Sequence, residues 1–225
     1  ARTHPKGSGP LYWYQLFDYA IGHWFQKAAE DILGTVLCCP GCFSVFRCSA
    51  LKGKVLEEYS TEVTSASEFL TKDMGEDRWL CTLLVKEGCK LEYCATSENK
   101  THCPEGFDEF FNQRRRWIPS TIANLSLLIT QSTKITKQNE NVSILFVIFE
   151  GILVFSTAIS PATVILVIAS GISSAFNVSD SSVTATIIVL SLLSIVYGIF
   201  CLYGNTQDQL NVAKSSTFLF SIFMG

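Results

Sequence analysis

The second half of the chain has almost no charge. From Val142 to the end the charged residues are Glu150, Asp180, Asp208 and Lys214. That excludes a solvated, charge-decorated surface there and leaves long apolar runs as its content. A net charge of −3 says little, because no large single-sign field emerges. Cys39-Pro40-Gly41-Cys42 is a CxxC without a second CxxC or a CxxH, which excludes the common zinc frameworks. It also lacks the preceding Trp and the strand-to-helix setting of a thioredoxin motif. Eight of the nine cysteines lie in the polar half at irregular spacing, unlike a small disulfide scaffold, and are expected as buried thiols in a reducing compartment. The opening ARTHPKGSGP has neither Met nor an apolar run, so no signal peptide is read there. The abrupt ends suggest an internal fragment of a longer membrane protein.

In the polar half, apolar positions 13, 16, 17, 20, 21, 24, 25 and 28 repeat with helical period over residues 11–33, and Gly34 suits a C-terminal stop. His23 lies inside this helix, where a structural imidazole outweighs a base. Residues 35–39 and 43–47 are β-prone and flank Pro40-Gly41, which predicts a hairpin whose turn lets backbone amides approach a ligand. A short helix is expected within 49–59, and STEVTSASEF reads as a mobile loop. Gly75-Glu76-Asp77-Arg78 opens a helix with Trp79, Leu80, Leu83 and Leu84 on its apolar face, ending at Gly88. Asp77 thus sits at a helix N-terminus, where the dipole favours an ionised carboxylate; a plain cap flanked by charges is the bland alternative. CKLEYC (89–94) alternates as a strand, and the following loop holds His102.

Gln113-Arg114-Arg115-Arg116-Trp117 ends the polar half. On a helix begun by Pro104 and broken by Pro119, Gln113, Arg116 and Trp117 share a face, while Arg114 and Arg115 point elsewhere. The face offers an amide, a guanidinium suited to phosphate and a flat plate suited to a sugar ring. A juxtamembrane basic cluster with an interfacial Trp is the competing reading.

After Pro119, STIANLSLLITQ is amphipathic without charge. A short surface helix is expected, with Ser120 as cap and Asn124 on the polar side. Residues 142–176 and 183–203 are long enough to span a bilayer, which takes about 20 residues, and 212–225 begin a third span. Glu150 in the first is either functional or interfacial and snorkelling. Lys134, Lys137 and Lys214 place residues 1–140 on the cytosolic side. Of the sequons at Asn99, Asn124, Asn141 and Asn177, that topology exposes only Asn177 outside.

GEDRWLCTLL (75–84) and THCPEGFDEFFNQRRRW (101–117), with CCPGCFSVFR (38–47) upstream, resemble the chitin synthases, the animal type more than the fungal. The likeness runs over most of residues 4–135. EDR, then QRRRW, then membrane spans is specific as a set. The resemblance implies a processive family 2 glycosyltransferase: N-acetylglucosamine passes from UDP-GlcNAc to the non-reducing end of a β-1,4 chain, which is extruded through the membrane domain. It implies an α/β fold: residues 1–118 as the C-terminal part of a cytosolic GT-A domain, 119–140 as an interfacial helix and linker, and 141–225 as all-α transmembrane helices. Asp77 would be the general base, flanked by Glu76 and Arg78. Gln113, Arg116 and Trp117, with Arg114 and Arg115 beside them, would hold diphosphate and acceptor sugar, and Pro40, Gly41 and Cys42 would line the acceptor path. No DxD occurs, so a divalent cation (Mg or Mn) would take its ligands outside this chain, as would uracil; no metal site is expected within it. The implied partners are UDP-GlcNAc, the chitin chain and the bilayer, with a homo-oligomer compatible and nucleic acid not involved. The location would be a multi-pass plasma-membrane protein. Cellulose- or hyaluronan-type synthases fit these motifs less well; a non-enzymatic membrane protein with a basic anchor is the third reading.

Overall fold

The computed structural model describes residues 1–177 and 179–224, apart from the side chains of Asp180, Phe220, Phe223 and Met224. It falls into two units, Ala1–Val154 and Phe155–Gly225.

The first unit is built around one short helix. Helix α5 (Glu76–Lys86) buries Trp79 and every residue from Cys81 to Val85. A helix apolar on nearly all sides belongs inside a core. Val36, Leu37, Val55, Leu91, Leu128, Ile135, Val142 and Phe146 pack around it. They come from the segment after α2 (Lys27–Leu33), from α3 (Lys54–Tyr59), from the segment after α5, from α6 (Phe107–Thr130) and α7 (Ser132–Gln138), and from the approach to and start of α8 (Ile144–Phe176). The sheet has two strands, β1 (Arg2–Lys6) and β2 (Glu98–His102), paired in parallel with Arg2 opposite Glu98 and Lys6 opposite His102. A parallel pair needs a long crossover, and here the helical core supplies it, so this unit is mostly helical with one two-stranded parallel sheet.

Residues 11–33 are helical as expected, but not in one regular helix. Helix α1 (Pro10–Ile21) passes into a π-helical stretch, Gly22–Gln26, and then α2. The apolar stripe that betrays the helix faces outward: Trp13 is 65% exposed and Phe25 72%, while Gln15, His23 and Glu30 on the opposite side are buried. Gln15 explains part of this, since its Nε2 donates to the Pro104 carbonyl at 2.7 Å.

Several local expectations are corrected. No hairpin forms over 35–47 and no strand over 89–94. The Leu91 amide goes to Thr35 Oγ1 and its carbonyl to the Val36 amide, while the Tyr93 amide goes to Asp31 Oδ1. Side chains thus take groups that a ladder would need. The strand lies instead at Glu98–His102, in the stretch read as a loop. The loop STEVTSASEF contains α4 (Ala66–Glu68) and leads into a second π-helical stretch, Phe69–Asp73; Ser65 Oγ accepts from the Glu68 amide. Pro119 does not end its helix. A proline inside a helix costs about 3 kcal/mol, yet α6 continues to Thr130 because Ser120, Asn124 and Leu128 are buried on its inner side. Asn124, expected on a polar surface, is enclosed: Nδ2 donates to the Thr71 and Ser120 carbonyls, and Oδ1 accepts from Thr82 Oγ1.

Of the two readings of Glu150, the snorkelling one does not hold. Val142, Phe146 and Glu150 recur every fourth residue and are all buried, so the carboxylate is enclosed within the first unit rather than snorkelling.

In the second unit, the rest of α8 is followed by α9 (Asp180–Tyr203) and α10 (Thr206–Met224). Among the described residues, Ile144–Phe176 and Ser181–Tyr203 are long and apolar enough to cross a membrane. The third expected span falls on α10, which starts earlier and opens with TQDQLN; its last residue, Gly225, lies outside the described part. In the turn between the first two, Asn177 has a positive φ of 47°, and Val178 beside it lies outside the described residues.

Asn139 ties the core helix to the linker before α8. Its Nδ2 donates to the Val85 and Cys89 carbonyls, and its Oδ1 accepts from the Asn141 amide. Asn139→Leu keeps the branched shape and removes these bonds together with the one from Asn141 Nδ2 to Oδ1, so it should destabilise by about 1–3 kcal/mol. A thermal-shift measurement on the full-length protein in detergent checks this; an unchanged midpoint would contradict the role.

Candidate functional site

Six segments converge on one cleft of about 450 Å³. Its wall includes Asp18, Tyr19, His23, Lys27 and Glu30 from the α1–α2 run, Pro40, Gly41 and Cys42 from the following turn, and Glu76, Asp77 and Arg78 from the start of α5. Thr3 of β1, Thr101 and His102 of β2, and Gln113, Arg114, Arg116, Trp117 and Ser120 of α6 also line it. The sequence candidates therefore meet in space, with one exception. Arg115 does not line the cleft, and Arg114, expected to point elsewhere, does. At 100° per residue, 113, 114, 116 and 117 fall within a half-turn and 115 lies opposite them.

Asp77 is held at both oxygens. Gly75 is the N-cap of α5, and Asp77 is its second residue. Oδ1 accepts from the Arg78 amide at 2.7 Å, satisfying one of the free donors of a helix start, and Oδ2 accepts from the Cys38 thiol at 3.6 Å. Burial pushes that thiol up to about 11, so Cys38 remains a proton-bearing donor at neutral pH. Glu76, one residue earlier, is exposed.

Arg114 is pinned. Its guanidinium donates to Asp18 Oδ2 at 2.7 Å and lies over the rings of Phe110 and Trp117, at 5.0 and 5.2 Å from their centroids. Arg116 is exposed and makes no ion pair with a described residue, so its fork is available to an anion. Gln113 Oε1 is buried without a partner.

The α5–α6 contact sets the spacing of these groups. A Cβ on Gly75 would stand 2.6 Å from Ser120 Oγ and 2.8 Å from Ser120 Cβ. Only glycine lets the start of α5 approach α6 one turn beyond Trp117.

Sequence reasoning missed Asp18, Tyr19, Lys27 and Glu30, although Asp18, Gly22 and Gln26 recur at helical spacing; the aromatic stripe opposite drew attention away. The cysteines are more varied than expected: Cys81 and Cys103 are buried, whereas Cys42, Cys48 and Cys94 are exposed. Among the described residues no three His, Cys, Asp or Glu side chains are grouped to hold a metal.

The chitin synthase family model matches residues 6–209. The chain belongs to the chitin synthase family. It is 45% identical to a chitin synthase of Meloidogyne artiellia and 42% identical to chitin synthase chs-2 of Caenorhabditis elegans, over 99% of its own length in both. It is 35% identical to chitin synthase V of Fusarium oxysporum over 88% of its length. The aligned part covers 12%, 13% and 11% of these relatives, so the chain spans about an eighth of their length. The motifs EDR and QRRRW of this family member are those that share the cleft.

Two outcomes follow from this geometry. Gly75→Ala should force α5 and α6 apart, costing about 1–3 kcal/mol and most of the activity of the full-length protein. Adding Ser120→Gly should restore part of both, since the clash is with that side chain; no recovery would show that the contact is not what separates the helices.

The second concerns pH. Burial, then the neighbouring charge of Lys27, lowers the His23 imidazole from 6.5 to about 4. Between these values the unfolded chain binds the proton and the folded one does not, so stability is lost as pH falls from 6.5 toward 4 and is unaffected by this group above 6.5. His23→Gln should flatten the decline in melting temperature between pH 6.5 and 4.5; an identical slope would contradict the shift.

Proposed function

We propose that this chain is the acceptor-side part of a chitin synthase: the acceptor half of a GT-A catalytic domain (residues 1–118), an interfacial segment (119–140) and the first membrane helices (141–225). The enzyme transfers N-acetylglucosamine from UDP-GlcNAc to the end of a β-1,4 chain. The observation that carries this reading is the convergence of Asp77 with Gln113, Arg116 and Trp117 on one cleft, in a member of this family.

In the reaction, the acceptor hydroxyl attacks the anomeric carbon of the donor sugar and the bond from that carbon to the diphosphate oxygen breaks. Asp77 takes the hydroxyl proton. Its two protein hydrogen bonds hold the carboxylate in place, and a carboxylate has lone pairs left for the acceptor. Arg116, unpaired, meets the charge that develops on the departing UDP, while Arg114, tied to Asp18, is a brace for the Trp117 indole. Trp117 supplies an apolar plate to the acceptor ring, and the Pro40–Gly41–Cys42 turn borders its path. A divalent cation on the diphosphate would take ligands outside this chain, and no step here runs through it.

We place the first unit on the cytosolic side of the plasma membrane, with the chain passing outward along the spans. The two long apolar helices support the membrane, Lys134 and Lys137 the orientation, and the exposed Trp13, Phe17, Trp24 and Phe25 face suits contact with a headgroup region.

Asp77→Asn in the full-length enzyme tests the reading. The amide keeps the shape but takes no proton, so synthesis should fall on the order of a hundred- to ten-thousand-fold, with membrane insertion and UDP-GlcNAc binding intact. Glu76→Gln should lose far less. Chitinase-sensitive product at wild-type rate from Asp77→Asn would sink the base assignment. Trp117→Ala should abolish polymer formation and Trp117→Phe retain part of it; Trp117→Leu matching Phe would make the residue a mere anchor.

A further inference from the structure

The cleft contains a group that this mechanism leaves unused. His23 lies in the π-helical stretch Gly22–Gln26, where the Lys27 amide bonds back to the Gly22 carbonyl. One extra residue per turn re-aims the side chains around it, and such bulges gather at functional sites. Here the bulge turns an imidazole into the cleft wall. The ring is nine-tenths buried. It stacks on Tyr93 with centroids 6.0 Å apart and meets the edge of Tyr19 at 6.2 Å.

Those contacts hold the ring but satisfy neither nitrogen. Nδ1 is buried without a partner, and no described residue bonds Nε2. A neutral imidazole has one N–H. A buried, stranded donor is rarer than a stranded acceptor, which leaves Nδ1 as a bare lone pair between tyrosines and puts the proton on Nε2, toward the cleft. Burial beside Lys27 also disfavours the charged form. The group presented is thus an uncharged donor, fixed in orientation. It suits an uncharged oxygen better than a phosphate, which the cleft meets with Arg116.

We propose that His23 is a sugar-binding residue whose Nε2–H takes a hydroxyl or acetamido oxygen of an N-acetylglucosaminyl unit at the acceptor end of the chain. Tyr19, the Pro40–Gly41–Cys42 turn and Trp117 line the same cleft, so the sugar would be bordered by aromatic surface and fixed by a single directional donor, as is usual for neutral ligands. This rests on the acceptor-side reading above and adds a specificity contact to it.

The test uses the full-length enzyme and chitotetraose. His23→Phe keeps the stacked ring and removes the donor; His23→Gln keeps a donor. The dissociation constant for chitotetraose should rise about tenfold in His23→Phe, the scale of one lost hydrogen bond. It should stay within about threefold in His23→Gln, with UDP-GlcNAc binding unchanged in both. Unaltered chitotetraose affinity in His23→Phe overturns the proposal. Diethylpyrocarbonate acylates the imidazole nitrogen that carries the lone pair and gives an answer on the wild-type protein by peptide mass mapping. With Nδ1 buried and Nε2 protonated, His23 should be modified far more slowly than the exposed His102. Modification of His23 as fast as that of His102 would put a lone pair toward the cleft and overturn the proposal independently of any variant's folding. A wild-type enzyme that makes no chitin, or does not bind chitotetraose, defeats the acceptor-side reading itself, whereas normal synthesis and binding by His23→Phe defeats only the role of His23.

Discussion

The close approach of two helices at Gly75 and Ser120 governs the site. A catalytic carboxylate must lie within hydrogen-bond reach of the hydroxyl it deprotonates, and an anion site must lie where the leaving group departs. The groups proposed for these roles sit on different helices. Asp77 opens α5, and Gln113, Arg116 and Trp117 lie on α6, so the interhelical distance sets the spacing between them. Gly75 removes the one Cβ that would collide with Ser120. Asn124, bonded to the Thr71 carbonyl and to Thr82 Oγ1, locks the crossing one turn further on. A proline in the middle of α6 is tolerated because the turn beyond it carries this contact.

The first unit divides labour between the two sides of its N-terminal helical run. The polar side enters the site: Gln15 anchors the start of α6, Asp18 braces Arg114, and Glu30 accepts from the Leu37 amide at the start of the Cys38–Cys42 turn. The aromatic side faces outward. An exposed apolar stripe of that size marks an interaction surface. The π-helical stretch lies where the run bends its polar side into the cleft.

Helix α8 belongs partly to this core. Phe146 and Glu150 are buried in the first unit, whereas the residues beyond Val154 belong to the second. One helix, α8, is therefore shared by the two units.

Much of this could be read from residues alone. Helical period located α1–α2 and α5, and the lack of charge after Val142 located the two long apolar helices, because composition and period report local structure directly. EDR and QRRRW pointed to the family, because those residues at that spacing are specific as a set. Three things needed the tertiary structure. Pro119 predicts a break by local sterics, and only the burial of Ser120, Asn124 and Leu128 outweighs it. The outward aromatic stripe, and with it the arrival of Asp18, Tyr19, His23 and Lys27 in the cleft, depends on which face finds partners, and period gives a helix but not its rotation. The exchange of Arg114 for Arg115 in the wall depends on Asp18, 96 positions away in sequence. Sequence determined what chemistry the chain carries; packing between distant segments decided which side chains perform it, because contact distance is set by helices that meet far from one another along the chain.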